Sequence, residues 1–172
     1  MNRGKVGAAS LVLSAGLIVG WVTKEGWCAE ACIPVKGDVP TVGPGLTVRP
    51  DGSPVQMGDK VTPVQGVQRT YAYLLTQDEK LKKALGQTLL SQAEYEVYMD
   101  FAGQYGLSTL LSSTSWKRLK TGDYVGACNA LTLYRKVNGY DCSTLVNGQP
   151  NRICYGVWTR QLKRQADCLA AQ

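Results

Sequence analysis

Residues 25–47 read EGWCAEACIPVKGDVPTVGPGLT. The order of carboxyl and hydroxyl groups in this stretch predicts a cleft that can carry out acid–base chemistry. Hydrolysis of a glycosidic bond needs a protonated carboxylic acid and a second group, on the opposite face of the sugar, that attacks or orients water. Glu25, Asp38 and Thr41 are suited to these roles if a helix start, a turn and a strand bring them together. Gly43 and Gly45 follow, and glycine lacks a Cβ, so the backbone there can approach a sugar closely.

The composition excludes several kinds of chemistry. The 172 residues include no histidine, so neither a Ser-His-Asp triad nor a histidine-ligated zinc site is possible, and we expect no metal or organic cofactor. Lys and Arg number 19 against 13 Asp and Glu, and the formal charge of +6 favours anionic partners such as a bacterial wall. The basic residues are not clustered and there is one Phe, so nucleic acid is not an expected partner.

The start of the chain has the features of a membrane signal. Residues 6–22 form an uncharged apolar run, and Arg3 and Lys5 precede it, which by the positive-inside rule keeps the N-terminus in the cytoplasm. The run has 17 residues, at the short limit for crossing a bilayer, and eight of them are Gly, Ala or Ser. Retention in lipid is therefore expected to be marginal.

Three interpretations of this run compete. A cleaved signal peptide fits its length, but no good small-x-small cleavage site precedes a polar start near Ala15 or Gly20. A permanent anchor is disfavoured by the small residues. A signal-anchor that later leaves the membrane fits best, which divides the chain into residues 1–24 and a catalytic domain of residues 25–172. All six cysteines follow the run, as expected for export to an oxidising space.

The exported part is predicted to be α+β, with a small antiparallel sheet followed by helices. Turn signals separate β-prone pieces at residues 39–42, 46–48 and 53–57. Capping boxes that begin at Thr62 and Ser91 predict helices to about Leu75 and about Ala102. The other predicted helices are residues 108–119, 123–134 and 156–170.

The stretch at residues 25–47 resembles that of a known family. The pattern EG…D…PTxGxGxT is similar to the phage-type lysozymes of glycoside hydrolase family 24, which have a Glu, Asp or Cys, Thr triad. With its weakly apolar start, the chain resembles a signal-anchor-release endolysin. Further similarity lies in EYEVYMDFAGQYG at 94–106, STLL at 108–111, KTGD at 120–123, GAC at 126–128, and the final segment at 156–168.

The resemblance implies roles for single residues. Glu25 is the general acid, Thr41 is the triad threonine, and Gln104 stands where the family has a substrate-binding asparagine. The middle residue commonly lies six positions before the threonine, which here is Val35. Asp38, on a turn that is one residue longer, is the candidate for that role, and Cys32 is the alternative.

The resemblance also implies a disulfide between Cys128 and Cys168, which fall on two late helices that the family packs together. Cys142 and Cys154 flank a turn-rich stretch, and closing that 11-residue loop would stabilise the fold by about 2–3 kcal/mol. Cys28 and Cys32 could bond to each other or stay as thiols. The apolar run has no cysteine, so control by exchange with it is excluded.

The resemblance therefore implies a lysozyme-like, monomeric muramidase that cleaves the β-1,4 bond between N-acetylmuramic acid and N-acetylglucosamine in peptidoglycan. It would be held at the host inner membrane through residues 6–22 and act in the periplasm after release. Two alternatives are a non-catalytic wall-binding protein with the same fold, and a secreted inhibitor or structural protein with a cleaved signal peptide.

Overall fold

The computed structural model describes residues 4–24, 26–34 and 37–172. The chain divides into two units, which are treated separately below. The small unit is Val12–Lys80, and the helical unit is residues 4–11 together with Leu81–Gln172. The boundary predicted between a signal-anchor of residues 1–24 and a catalytic domain of residues 25–172 is a functional division, and it stays a prediction.

A two-stranded antiparallel sheet organises the small unit. Strand β1 (Cys28–Cys32) pairs with β2 (Thr41–Gly43), with Cys28 opposite Gly43 and Cys32 opposite Thr41. Because five residues face three, the register shifts between the two cysteines, as in a β-bulge. β2 overlaps the β-prone piece predicted at residues 39–42 and extends one residue beyond it, whereas β1 was not predicted.

The two other β-prone pieces form single bridges rather than strands. Val42 pairs with Leu46, and Val48 with Pro54. Their apolar side chains still have a role, because Ala31, Val42, Val55 and Val61 form a buried cluster with Leu46 against it.

An ion pair closes this irregular part of the small unit. The Arg49 guanidinium donates to both carboxylate oxygens of Asp59, each at 2.7 Å. This hydrogen bond, with a second from the backbone N–H of Gln56, lowers the pKa of Asp59 from its ordinary 3.8 to about 2. The backbone carbonyl of Asp59 accepts from the N–H of Ala31, so the pair is connected to β1.

Helix α1 (Ala15–Lys24) begins inside the N-terminal apolar run and ends two residues beyond it, and it buries Leu17 and Trp21. Trp21 packs edge-on against Tyr73, with ring centroids 6.2 Å apart. Across the described part of the chain, every helix is too short or too polar to span a bilayer.

Helix α2 (Pro63–Leu85) begins at the predicted capping box. The backbone N–H of Gln65 donates to the Thr62 hydroxyl, and the N–H of Thr62 donates to the Gln65 amide oxygen. The predicted end near Leu75 is wrong by ten residues. Leu74, Leu81 and Leu85 are fully buried, and this apolar stripe stabilises the helix beyond the charged residues between them.

The helical unit is built from five further helices. α3 (Gln92–Tyr105) begins with the predicted Ser91–Glu94 capping box, and α7 (Tyr155–Ala170) matches the last predicted helix. The predicted helix over residues 108–119 is broken at Ser113, whose extended backbone lets its hydroxyl accept from the Trp116 N–H and cap a new helix. The intervening helices are α4 (Leu107–Ser112), α5 (Thr114–Lys120) and α6 (Tyr124–Ala130).

The segment after α6 differs from the predicted helix over residues 123–134. The α-helix ends at Ala130 and continues as one 3-10 turn, Leu131–Leu133. Two hairpins that were not predicted follow. Each turns at an Asn-Gly pair, at 138–139 and 147–148, and all four of these residues have the positive φ that a type I′ turn requires. Their strands are β3 (Lys136–Val137), β4 (Tyr140–Asp141), β5 (Leu145–Val146) and β6 (Gln149–Pro150).

Ion pairs link helices α3 and α7. Asp100 on α3 accepts hydrogen bonds from Arg160 and Arg164 on α7, with closest distances of 2.8 and 2.7 Å. Arg164 is 3% exposed, and burial lowers its pKa below the ordinary value although Asp100 opposes that shift. Removing the carboxylate would leave a buried cation unpaired.

All six cysteines are in disulfides. Cys128 bonds to Cys168 and Cys142 to Cys154, the two pairings expected from the sequence. Cys28 bonds to Cys32, which settles the alternative that was open for this pair.

Candidate active site

Thr41 is placed at the start of β2, where its side chain is 7% exposed. Its hydroxyl donates to the backbone carbonyl of Cys32 at 3.4 Å, a long hydrogen bond. The hydroxyl oxygen keeps its lone pairs, so it can still accept from a water or a sugar hydroxyl.

The candidates for the middle position have different environments. Cys32 contacts Thr41, with 4.0 Å between its sulfur and the threonine hydroxyl, but that sulfur is bonded to Cys28. Asp38 is exposed, and its carboxylate accepts from the backbone N–H of Val39 at 2.9 Å. Among the described residues, no partner contacts the second Asp38 oxygen, whereas Cys32 has no thiol to offer.

Glu25 lies outside the described residues, and its flanks are described on both sides. α1 ends at Lys24, and Gly26 and Trp27 belong to no helix. The prediction that a helix begins at Glu25 is therefore wrong: the α-helix precedes this position. Since glycine has φ of +71° at position 26, the chain turns directly after the glutamate in a way that side chains disfavour.

A contact between Trp27 and Gly66 on α2 holds the chain just beyond Glu25. A Cβ built on Gly66 would lie 2.7 Å from two carbons of the Trp27 ring, so the indole packs directly on the helix backbone. The sequence prediction did not include these residues. The signal that could have found them was a glycine inside the first turn of a well-capped helix, where alanine is preferred unless something packs closely.

Gly43 and Gly45 have a conformational reason for their identity. Their φ angles are +60° and +71°, a region that favours glycine. A Cβ on Gly43 would also lie 3.2 Å from a methyl group of Val61 in the buried cluster. The fold of the loop thus requires a glycine at position 43 before any sugar is considered.

Gln104 belongs to the helical unit, in the last turn of α3. Its side chain is half-buried, and its amide oxygen is buried without a hydrogen-bond partner. Beside it in sequence, the Tyr105 hydroxyl donates to the carbonyl of Tyr134 and accepts from the Gln161 amide. An unpartnered buried acceptor is unusual in a native fold, but this oxygen has almost no accessible surface, so it does not by itself mark Gln104 as a ligand-binding group.

Comparison with solved structures defines the class of fold. An endolysin from Escherichia coli O157:H7 phage FAHEc1 superposes with a TM-score of 0.68, 26% identity, and coverage of 95% of this chain and 96% of that one. A mutant of P22 lysozyme superposes with a TM-score of 0.70 and 23% identity over 92% of this chain and 99% of that one. The fold is therefore that of a lysozyme, as the sequence predicted.

Sequence comparison gives the family. The family described as phage lysozyme matches residues 22–152, a span that contains positions 25, 38, 41 and 104. A SAR-endolysin of Escherichia phage N15 is 33% identical over 125 residues, which cover 67% of this chain and 64% of the relative. The chain belongs to the phage lysozyme family, and its match spans less than two thirds of that relative's length.

Proposed function

We propose that this protein is an endolysin that hydrolyses the β-1,4 bond between N-acetylmuramic acid and N-acetylglucosamine in bacterial peptidoglycan. The observation that supports this most is the family match over residues 22–152, because it includes every residue proposed for the site in the small unit. The formal charge of +6 suits an enzyme that stays on an anionic wall.

Glu25 is the proposed general acid. It protonates the glycosidic oxygen as the bond to the anomeric carbon breaks, and the resulting sugar cation is captured by water. The Trp27–Gly66 contact supports this role, because it holds the chain two residues beyond the glutamate against the start of α2. General acid catalysis by one positioned group contributes about 10²–10⁴-fold to a rate.

Asp38 and Thr41 are proposed to act on the other face of the sugar. The Asp38 carboxylate stabilises the positive charge or takes the proton of the attacking water, and the Thr41 hydroxyl holds that water. The Cys28–Cys32 bond favours Asp38 over Cys32 for this position, since a disulfide sulfur neither ionises nor accepts a proton. Gln104, which lies within the family match at the position where the resemblance places a substrate-binding residue, is proposed to bind a polar group of the substrate.

The N-terminal segment is proposed to span the host inner membrane before lysis. In that state residues before position 6 are cytoplasmic, residues after position 22 are periplasmic, and the enzyme is inactive because its N-terminal part is held in lipid. Support comes from the composition of residues 6–22 and from the relative named SAR-endolysin. Release delivers the enzyme, as a monomer, to the periplasm.

Hydrolysis of purified sacculi tests the proposed reaction. The full chain should release reducing ends, and Glu25→Gln should lower the initial rate by at least about 10²-fold because the amide cannot donate the required proton. Glu30→Gln, five residues away on β1 in an exposed ion pair with Lys60, is the matched control and should keep the wild-type rate. Equal rates for wild type and Glu25→Gln would contradict the proposal and favour the non-catalytic wall-binding alternative.

A further inference from the structure

Residues 4–11 are part of the helical unit. Lys5, whose side chain is 4% exposed, forms an ion pair with Glu94 on α3, whose side chain is 1% exposed. These two residues are 89 positions apart. A lysine that is almost fully buried is rare unless it has a charged partner, so this position is specific.

Both carboxylate oxygens of Glu94 accept hydrogen bonds in this arrangement. One carboxylate oxygen accepts the capping-box hydrogen bond from the Ser91 N–H at 2.8 Å. The other accepts from Lys5 and, at 2.9 Å, from the Gln172 amide. If Lys5 is absent, a carboxylate at the core of the unit loses its only described cationic partner.

Three further contacts hold the same segment. The Lys5 ammonium lies 3.7 Å from the centroid of the Tyr124 ring, a cation–π contact. Val6 and Leu90 exchange two backbone hydrogen bonds, of 2.8 and 3.0 Å, as a one-residue antiparallel bridge. Leu11 is 1% exposed. Together these contacts form what we call the N-terminal docking site: Leu90, Glu94, Tyr124 and Gln172.

We propose that the N-terminal docking site binds residues 5–11 only in the released enzyme, and that the Lys5–Glu94 pair is what keeps the released segment from re-entering lipid. The inference rests on the proposed function, in which a membrane-spanning segment places Lys5 in the cytoplasm and Glu94 in the periplasm. The two side chains cannot meet across a bilayer. The same lysine therefore acts as a topology signal before release and as the partner of a buried carboxylate afterwards.

The energetic direction follows from burial. In the tethered state Glu94 lacks its cationic partner Lys5 and Leu90 lacks its backbone partner Val6, so the helical unit loses these interactions. Docking removes both defects at once. Because residues 6–22 have a marginal preference for lipid, docking needs only a small net free energy to decide between the two locations of the segment, and removal of either partner from the buried pair opposes docking strongly.

Vesicle flotation of the purified full chain tests this. Soluble periplasmic protein, shown by mass spectrometry to retain residues 1–22, is mixed with vesicles of phosphatidylethanolamine and phosphatidylglycerol and centrifuged through a density gradient. Wild type should stay mainly in the soluble fraction. Lys5→Gln and Glu94→Gln should each raise the ratio of floated to soluble protein by about tenfold or more, a shift that requires only about 1.4 kcal/mol.

The variants are chosen so that changes in net charge, or loss of the α3 cap, cannot explain an increase in flotation. Lys5→Gln makes the protein less basic, so greater flotation on anionic vesicles cannot come from electrostatic attraction. Glu94→Gln keeps an oxygen that can accept from Ser91, and thus preserves the cap. Asp167→Asn removes a carboxylate from the exposed pair with Lys163 and should float no more than wild type. Lys5→Arg, which keeps the charge, should behave as wild type.

The outcomes separate the two proposals. Flotation of Lys5→Gln and Glu94→Gln at the level of Asp167→Asn overturns the docking inference, as does wild type that floats completely or is recovered without residues 1–22. Sacculus hydrolysis is measured on the same wild-type sample. Its absence would contradict the muramidase proposal, while the flotation ratios would still decide the docking inference.

Discussion

Cys32 lies directly opposite Thr41 across the β1–β2 pair, and the Thr41 hydroxyl donates to the Cys32 carbonyl at 3.4 Å. The Cys32 sulfur is 4.0 Å from that hydroxyl and is bonded to Cys28. The residue that contacts the threonine therefore has no free thiol, whereas Asp38, three positions before Thr41, has an exposed carboxylate. This difference leads to the first prediction.

Asp38→Asn should lower the rate of sacculus hydrolysis by about 10²-fold or more, because an amide can neither stabilise a cationic sugar nor accept a proton. The double variant Cys28→Ala/Cys32→Ala should lose far less, since it removes no ionisable group. Initial rates on purified sacculi measure both. The reverse order of the two effects would assign the middle position to Cys32.

Thr41→Val should lower the hydrolysis rate by about tenfold or more while lowering the unfolding free energy by only about 0.5–1.5 kcal/mol, the net value of the lost hydrogen bond to the Cys32 carbonyl. Valine is similar in shape and fits the buried site, but it removes the hydroxyl proposed to hold water. Thr41→Ser keeps the hydroxyl and serves as the control. Rates on sacculi are compared with thermal unfolding followed by circular dichroism; a fully active Thr41→Val would remove the threonine from the proposed mechanism.

Gly66→Ala should destabilise the protein by about 1–3 kcal/mol and reduce hydrolysis, because the new methyl group collides with the Trp27 ring two residues beyond Glu25. Gly156→Ala in α7 meets no atom within 4 Å and should instead be neutral or stabilising by up to about 1 kcal/mol. Chemical denaturation measures both changes. If the two substitutions had the same effect, the Trp27 contact would not position the site.

The Arg49–Asp59 pair predicts a dependence of stability on pH. The pKa of Asp59 is lowered from 3.8 to about 2, so the pair stabilises the folded state fully above pH 4 and loses this effect as the pH falls towards 2. The difference in Tm between wild type and Asp59→Asn should be constant from pH 5 to 7 and shrink below pH 4. A difference that grows on acidification would contradict the assignment.

The Cys128–Cys168 and Cys142–Cys154 disulfides should differ in their contribution to the unfolding free energy. Their sequence separations are 40 for Cys128–Cys168 and 12 for Cys142–Cys154. In the chain-entropy account the longer loop gives about 4 kcal/mol and the shorter about 3 kcal/mol. Paired cysteine-to-alanine variants, compared by chemical denaturation, should lose stability in that order. A larger loss at Cys142–Cys154 would indicate that strain or packing dominates.

The features that the sequence predicted correctly depend on neighbours along the chain. The two capping boxes, at Thr62 and Ser91, each join residues three positions apart, and the structure has both. The end of α2 was wrong because the buried leucines that extend this helix act through packing, which no local signal reveals. Strand β1 was missed for a similar reason, since its alanines and its glutamate have little β-propensity and pair only because β2 is present.

The candidate site shows the same division. The identities of Glu25, Asp38 and Thr41 could be proposed from spacing and family resemblance. That Cys32 contacts Thr41, and that α1 ends immediately before Glu25 instead of beginning there, could not. The Trp27–Gly66 contact also joins residues too far apart in the sequence for a pattern to connect them.

The amino-acid sequence alone determined the family, the order of sheet and helices, the residue types of the proposed site and the marginal apolarity of residues 6–22. Those properties are local or compositional. The tertiary structure alone decided that Lys5 meets Glu94 and that Cys28 bonds to Cys32. For the ion pair, the physical reason is that burial removes competing water, so a partner 89 positions away becomes the one available to the charge. For the disulfide, the reason is that the pairing of β1 with β2 sets the distance between the two cysteines.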